Sequence, residues 1–97
     1  MNMPYIPQDR RQKINSSIES LINDIQGLTH NDLRDLDGDL NYSISKLLLG
    51  VFDLIDKPKY SKFNSAMGVL EGVKLEMYRR FTAEYEDIKI NENGDIK

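Results

Sequence analysis

The stretch Gly38-Asp-Leu-Asn-Tyr-Ser-Ile-Ser-Lys-Leu-Leu-Leu-Gly-Val-Phe-Asp-Leu-Ile55 decides the fold class. Leu40, Ile44, Leu47, Leu48, Val51 and Ile55 recur mostly at steps of three and four, which is one face of a helix. Leu49, Phe52 and Leu54 widen that face beyond a single stripe. A helix this apolar needs cover on more than one side, from its neighbours or from another subunit. Lys57 and Pro58 stop it, so the spacing predicts a helix over residues 37–56.

Working outward toward the start, Ile14, Ile18, Leu21, Ile22 and Ile25 form another stripe of helical period. Asp9 suits the positive end of that helix and Gly27 its C-terminal cap, which predicts a helix over residues 8–26. Ahead of it, Pro4 and Pro7 bias residues 1–7 toward an extended arm, whose Tyr5 and Ile6 call for something to pack on. Between the two helices, Thr29 to Asp39 is polar and acidic. Leu33 and Leu36 anchor at most one turn there, with Thr29 and Asp32 resembling a capping box and Gly38 breaking it.

Downstream, Phe63, Ala66, Met67, Leu70, Val73, Met77 and Phe81 stand at core spacing and predict a helix over residues 59–84. Gly68 and Gly72 lie on one side of it. Each costs about 1 kcal/mol relative to alanine, which a closely approaching second helix would explain. From residue 85 to 97, Ile88, Ile90 and the Asn93-Gly94 pair read as an extended tail with a turn. The expectation is therefore an all-α, compact three-helix domain spanning residues 1–97, with an extended arm and an extended tail.

Composition narrows the function classes. The chain has 97 residues, 39% of them hydrophobic, which suits one small core and excludes a wholly disordered chain. Thirteen Lys and Arg against 16 Asp and Glu give a net charge of −3, which argues against a duplex-binding module. Cysteine is absent, so disulfide scaffolds, zinc ribbons and thiol nucleophiles fall away together. No apolar run reaches the ~20 residues of a membrane span, and the start has no apolar leader segment. A cytoplasmic protein without membrane contact is the expectation.

Candidate chemistry is sparse. The segment Asp35-Leu-Asp-Gly-Asp-Leu-Asn41 invites a calcium reading, but neither register places carboxylates, glycine and a closing Glu together. Helix capping by Asp37 or Asp39 is the plainer account. His30 is the single histidine, has no nucleophile–base pair beside it, and reads as a surface residue. Glu71, Glu76, Glu84 and Asp87 offer half of the acidic motif of helical nucleotide pyrophosphohydrolases, Glu84-x-x-Asp87 without a second Glu pair.

The basic residues carry more. Arg10 and Arg11 open the first helix, and Lys74, Tyr78, Arg79 and Arg80 stand late in the third. If those two helices run antiparallel, both groups lie at one end, with Tyr5 and Tyr85 adding aromatic faces. Guanidinium forks bind phosphate and phenol rings stack on bases, so Tyr5, Arg10, Arg11, Lys74, Tyr78, Arg79, Arg80 and Tyr85 are the candidate ligand-binding set. The plain alternative is a solvated basic end paired with Asp9, Glu76 or Glu84.

Several segments carry a resemblance. Met3-Pro-Tyr-Ile-Pro-Gln-Asp-Arg-Arg11, Gly38-Asp-Leu-Asn-Tyr42, Gly68-Val-Leu-Glu71 with Lys74, Glu76 and Tyr78-Arg-Arg80, Tyr85-Glu-Asp87 and Glu92-Asn-Gly-Asp95 resemble a family of short, uncharacterised bacterial and phage proteins. The resemblance spans nearly the whole chain except Lys13 to Gly27 and the acidic connection after it. It implies no activity, but places the basic and aromatic positions within recurrent family motifs.

The leading expectation is a non-enzymatic, oligomeric binding module without a cofactor, holding an anionic nucleotide-like ligand. By analogy with other small phage proteins, that ligand would be a host defence signal nucleotide. The alternative is a structural or protein-interaction module with no small-molecule ligand, and the third reading is a metal-dependent nucleotide hydrolase. A homo-oligomer is expected because three helices of this length bury limited area alone.

Overall fold

The computed structural model describes residues 4–97. The chain is all-α, and no strand occurs among the described residues. Its helices are α1 (Gln8–Gln26), α2 (Leu33–Val51), α3 (Tyr60–Met77) and α4 (Ala83–Asn93), with a single π-helical turn, Tyr78–Thr82, between α3 and α4. Two compact units are present, Tyr5–Phe63 and a second formed mainly by Asn64–Lys97.

In the first unit, Pro7 sets the start of α1. Its carbonyl accepts from the backbone N–H groups of Arg10 and Arg11 at 3.1 Å, while its own missing N–H costs nothing at a helix start. Of the expected arm, residues 1–3 lie outside the described residues and residues 4–7 are non-helical. The arm is tied to α1 where the Arg11 Nε donates to the Ile6 carbonyl at 2.7 Å. At the other end, the Gly27 N–H closes the helix on the Asn23 carbonyl at 3.0 Å.

Helix α2 begins four residues earlier than the spacing predicts. Asp32, and neither Asp37 nor Asp39, is its cap: one carboxylate oxygen accepts from the N–H groups of Arg34 at 2.9 Å and Asp35 at 3.3 Å. That cap joins the Leu33–Leu36 turn to the main helix, and Gly38 lies inside it rather than breaking it. A Cβ at Gly38 would meet nothing within 4 Å. The connection before α2 is tied down by His30, which is half-buried rather than a surface residue. Its Nε2 stands 2.7 Å from an Asp39 carboxylate oxygen.

The end of α2 also falls short of the expected residue 56, at Val51. Asp53 takes the left-handed conformation, with φ at 55°. The Leu54 N–H then bonds the Leu49 carbonyl at 3.0 Å and the Asp53 N–H bonds the Gly50 carbonyl at 3.1 Å. This is a Schellman stop with aspartate where glycine is usual. It turns Leu54 inward, to 6% exposure, so Leu54 is core and not part of an outward patch.

In the second unit, helical backbone runs without a break from α3 through the π turn and α4 to Asn93. The expected extended tail is thus helical over most of its length, and only Gly94 to Lys97 leave it. Ile88 and Ile90 alternate, which mimics a strand. The surrounding Glu84, Glu86, Lys89 and Glu92 are good helix formers, and the preceding helix supplies a nucleus that needs no new first turn. Gly94, with φ at 88°, ends α4 as its N–H bonds the Ile90 carbonyl at 2.8 Å.

Burial is shallow throughout. Leu54 and Ala66 are the buried apolar residues among those described. Ile14, Ile18, Leu21 and Ile22 of α1 are each between 43% and 48% exposed.

Candidate functional site

Three of the eight candidate ligand residues, Tyr78, Arg79 and Arg80, make up most of the π turn. Here the Ala83 N–H reaches the Tyr78 carbonyl five residues back, which inserts one extra residue into the helix. Single π turns of this kind frequently mark functional sites. The extra residue resets the faces. On an unbroken α-helix, positions eight apart differ by about 80° around the axis, and absorbing one residue brings them within about 20°. Tyr78 and Glu86 are such a pair, and the Tyr78 hydroxyl donates to the Glu86 carboxylate. That bond, then the negative charge of Glu86, holds the Tyr78 phenol pKa above its ordinary value, with smaller contributions from burial and Asp87.

The two arginines of the turn meet over one acid. Arg79 donates to Glu76 Oε1 at 2.7 Å, and an Arg80 guanidinium nitrogen stands 3.9 Å from the same oxygen. Glu76 is largely covered, at 20% side-chain exposure, while Arg79 and Arg80 remain 66% and 49% exposed. One carboxylate therefore stands against both guanidinium groups, whose side chains stay partly open to solvent. A turn earlier, Lys74 faces Glu71 at 3.8 Å. Tyr85, on α4, has Lys89 over its ring at 5.5 Å, and Lys89 pairs with Glu92 at 3.0 Å.

Tyr5, Arg10 and Arg11 belong to the other unit. Arg10 and Arg11 occupy the first turns of α1, and Arg11 is bent onto the Ile6 carbonyl beside Tyr5. The structure thus gathers the candidates into two local groups, one around the arm and one around the π turn.

Sequence reasoning missed Glu86, Lys89 and Asp39 as partners. The Tyr85–Lys89 step of four was a readable signal. The Tyr78–Glu86 step of eight matches no α-helical neighbour and becomes visible only with the π turn in place. Among the described residues, no group of three or more His, Asp or Glu side chains is arranged to hold a metal ion. No helix is long and apolar enough to cross a membrane among the described residues.

A family model described as a domain of unknown function (DUF6899) matches residues 3–96. No curated protein and no solved structure matches the chain.

Proposed function

The chain belongs to the DUF6899 family, and on that footing we propose that it is a non-enzymatic, oligomeric binding protein that captures an anionic, nucleotide-like ligand. The observation that carries the reading is the shared carboxylate. Glu76 stands against both Arg79 and Arg80 and orients the two guanidinium groups together. The arginine side chains of these pairs stay open to solvent, so a phosphate group can reach both. Guanidinium forks then accept phosphate oxygens bidentately. Tyr78 and Tyr85, one before the arginines and one after, offer rings to a base. Arg10, Arg11 and Tyr5 hold a second set of the same chemistry on the other unit.

Capture without turnover suits sequestration. A cytoplasmic, phage-encoded protein of this size would act by withdrawing a host defence signal nucleotide from its receptor. Titration calorimetry with cyclic dinucleotides and ADP-ribose derivatives tests the reading. Binding heat, a raised melting temperature, and loss of both in Arg79→Ala/Arg80→Ala with helicity unchanged are the expected results. No heat from any of these probes at millimolar concentration, with a flat melting temperature, overturns it.

A second reading, a protein-interaction module with no small-molecule ligand, is favoured by one observation, the exposed apolar stripe of α1. Under that reading the double arginine variant dissociates the assembly, which sedimentation distinguishes from lost binding.

A further inference from the structure

We infer that Asn93 is a site of self-modification: its side-chain amide is lost through a cyclic imide formed with Gly94, which remakes the end of α4. The inference is carried by the second unit alone and is independent of nucleotide capture.

The Asn93-Gly94 pair has the groups that this ring closure needs. The Gly94 backbone nitrogen attacks Cγ of the Asn93 side chain. A new N–C bond forms and the bond from Cγ to Nδ2 breaks. The amide group leaves as ammonia, taking the proton that the Gly94 nitrogen gives up. Water then opens the ring at either carbonyl. Opening at Cγ gives aspartate, and opening at the former backbone carbonyl gives isoaspartate, with the chain rerouted through the side chain. A side chain on the following residue would crowd the attacking nitrogen, and glycine has none.

The fold leaves this pair free to react. Asn93 is exposed and is the last residue of α4, and Gly94 has already left the helix with φ at 88° and ψ at 156°. To face Cγ, the Gly94 nitrogen must swing away from its helical direction. That movement breaks one bond, from the Gly94 N–H to the Ile90 carbonyl, and no helix continues beyond it. Helix ends open in this way at little cost in free energy. A Cβ at Gly94 would meet nothing within 4 Å, so no neighbour obstructs the approach. Among the described residues, no hydrogen bond holds the Asn93 side-chain amide.

The other described asparagines lack this combination. Asn15, Asn23, Asn41, Asn64 and Asn91 lie within helices, and none precedes a glycine. Asn31 stands in a connection but is followed by Asp32. Asp37-Gly38 has the right neighbour for the same ring, yet helix α2 runs on past it on both sides.

The product differs from the starting chain in charge and in backbone. A new carboxylate arises at the negative end of the α4 dipole, where the last turn has no basic residue and Glu92 and Asp95 flank the site. Isoaspartate also lengthens the path between Ile90 and Gly94, which spoils the closing bond. The last turn of α4 then frays.

The test ages the full chain for weeks in mildly alkaline buffer at physiological temperature and follows it by isoelectric focusing and peptide mapping. An acidic species carrying one added negative charge should accumulate. The tryptic peptide Ile90–Lys97 should hold the change, with tandem mass spectrometry placing it at Asn93 and isoaspartate in excess over aspartate. The acidic species should be lost in Asn93→Gln, whose longer side chain closes a ring poorly, and in Gly94→Ala. Since Gly94→Ala also disturbs the helix end, amide exchange at the end of α4 accompanies it, and Asn93→Gln should leave that exchange unchanged. The same incubation in urea provides the control. No acidic species from the folded chain, while the urea-unfolded chain converts, shows that the closing bond protects Asn93 and overturns the inference. Conversion at Asn31 or Asn91 ahead of Asn93 overturns it as well.

Discussion

The Tyr78 hydroxyl donates to the Glu86 carboxylate across eight positions of helical chain, a pairing that the π turn between them brings onto one face. The bond uses the phenol's proton, so it stabilises the neutral form and raises the phenol pKa. Phenolate absorbance during alkaline titration should show one tyrosine ionising late. That late step should disappear in Tyr78→Phe and move back toward the ordinary tyrosine range in Glu86→Gln. For stability, the folded protein holds this proton more tightly than the unfolded chain does. The contribution is therefore fully present below the ordinary phenol pKa of about 10 and is lost as pH rises through the raised value. A melting temperature that falls equally with alkali in wild type and in Tyr78→Phe contradicts the assignment.

Asp53 carries a left-handed backbone, at φ 55°, to stop α2 and turn Leu54 into the core. Glycine adopts that conformation without the Cβ clash, so Asp53→Gly should stabilise the protein by about 0.5–1 kcal/mol. Asp53→Val should destabilise it by about 1–2 kcal/mol, since a β-branched side chain fits the left-handed region worst. Urea unfolding midpoints at constant slope measure both.

Gly38 and Gly50 lie within α2, and a Cβ at either would meet nothing within 4 Å. Alanine should therefore raise stability by about 0.5–1 kcal/mol at each position, through the smaller entropy loss of the backbone. The two gains should add, because the residues share no partner. A loss on either substitution, read by chemical denaturation, would place another chain against that side of α2.

Asp32 holds the first turn of α2 through two N–H groups. Asp32→Ala should cost about 1 kcal/mol and Asp32→Ser should recover most of it. Amide hydrogen exchange should quicken at Arg34 and Asp35 while the middle of α2 stays protected.

The all-α class was legible in the apolar periodicity, because the stripes of α1, α2 and α3 repeat at helical steps with no cross-chain information needed. The ends were less legible. Asp32 as cap was outweighed by Gly38, which as an isolated helix breaker looked decisive but costs only about 1 kcal/mol inside a capped helix. The stop at Asp53 had no sequence sign, since aspartate enters the left-handed region only where the chain beyond it rewards the turn, here by burying Leu54. The alternation of Ile88 and Ile90 misled for a related reason. Two isoleucines are too few to set a period against a helix already propagating from α3. At the candidate site, the residue types were readable, but their pairing was not. Arg79 and Arg80 belong together through Glu76, and Tyr78 is tied to Glu86 only through an extra residue in the helix.

Short-range physics thus settled which segments coil and which residues carry charge, because helical period and side-chain chemistry act within a few positions of the chain. Where each helix stops, which leucine is enclosed and which acid each cation meets were decided by the three-dimensional arrangement. Those outcomes balance local strain or desolvation against contacts that exist only once distant or out-of-phase residues have been brought together.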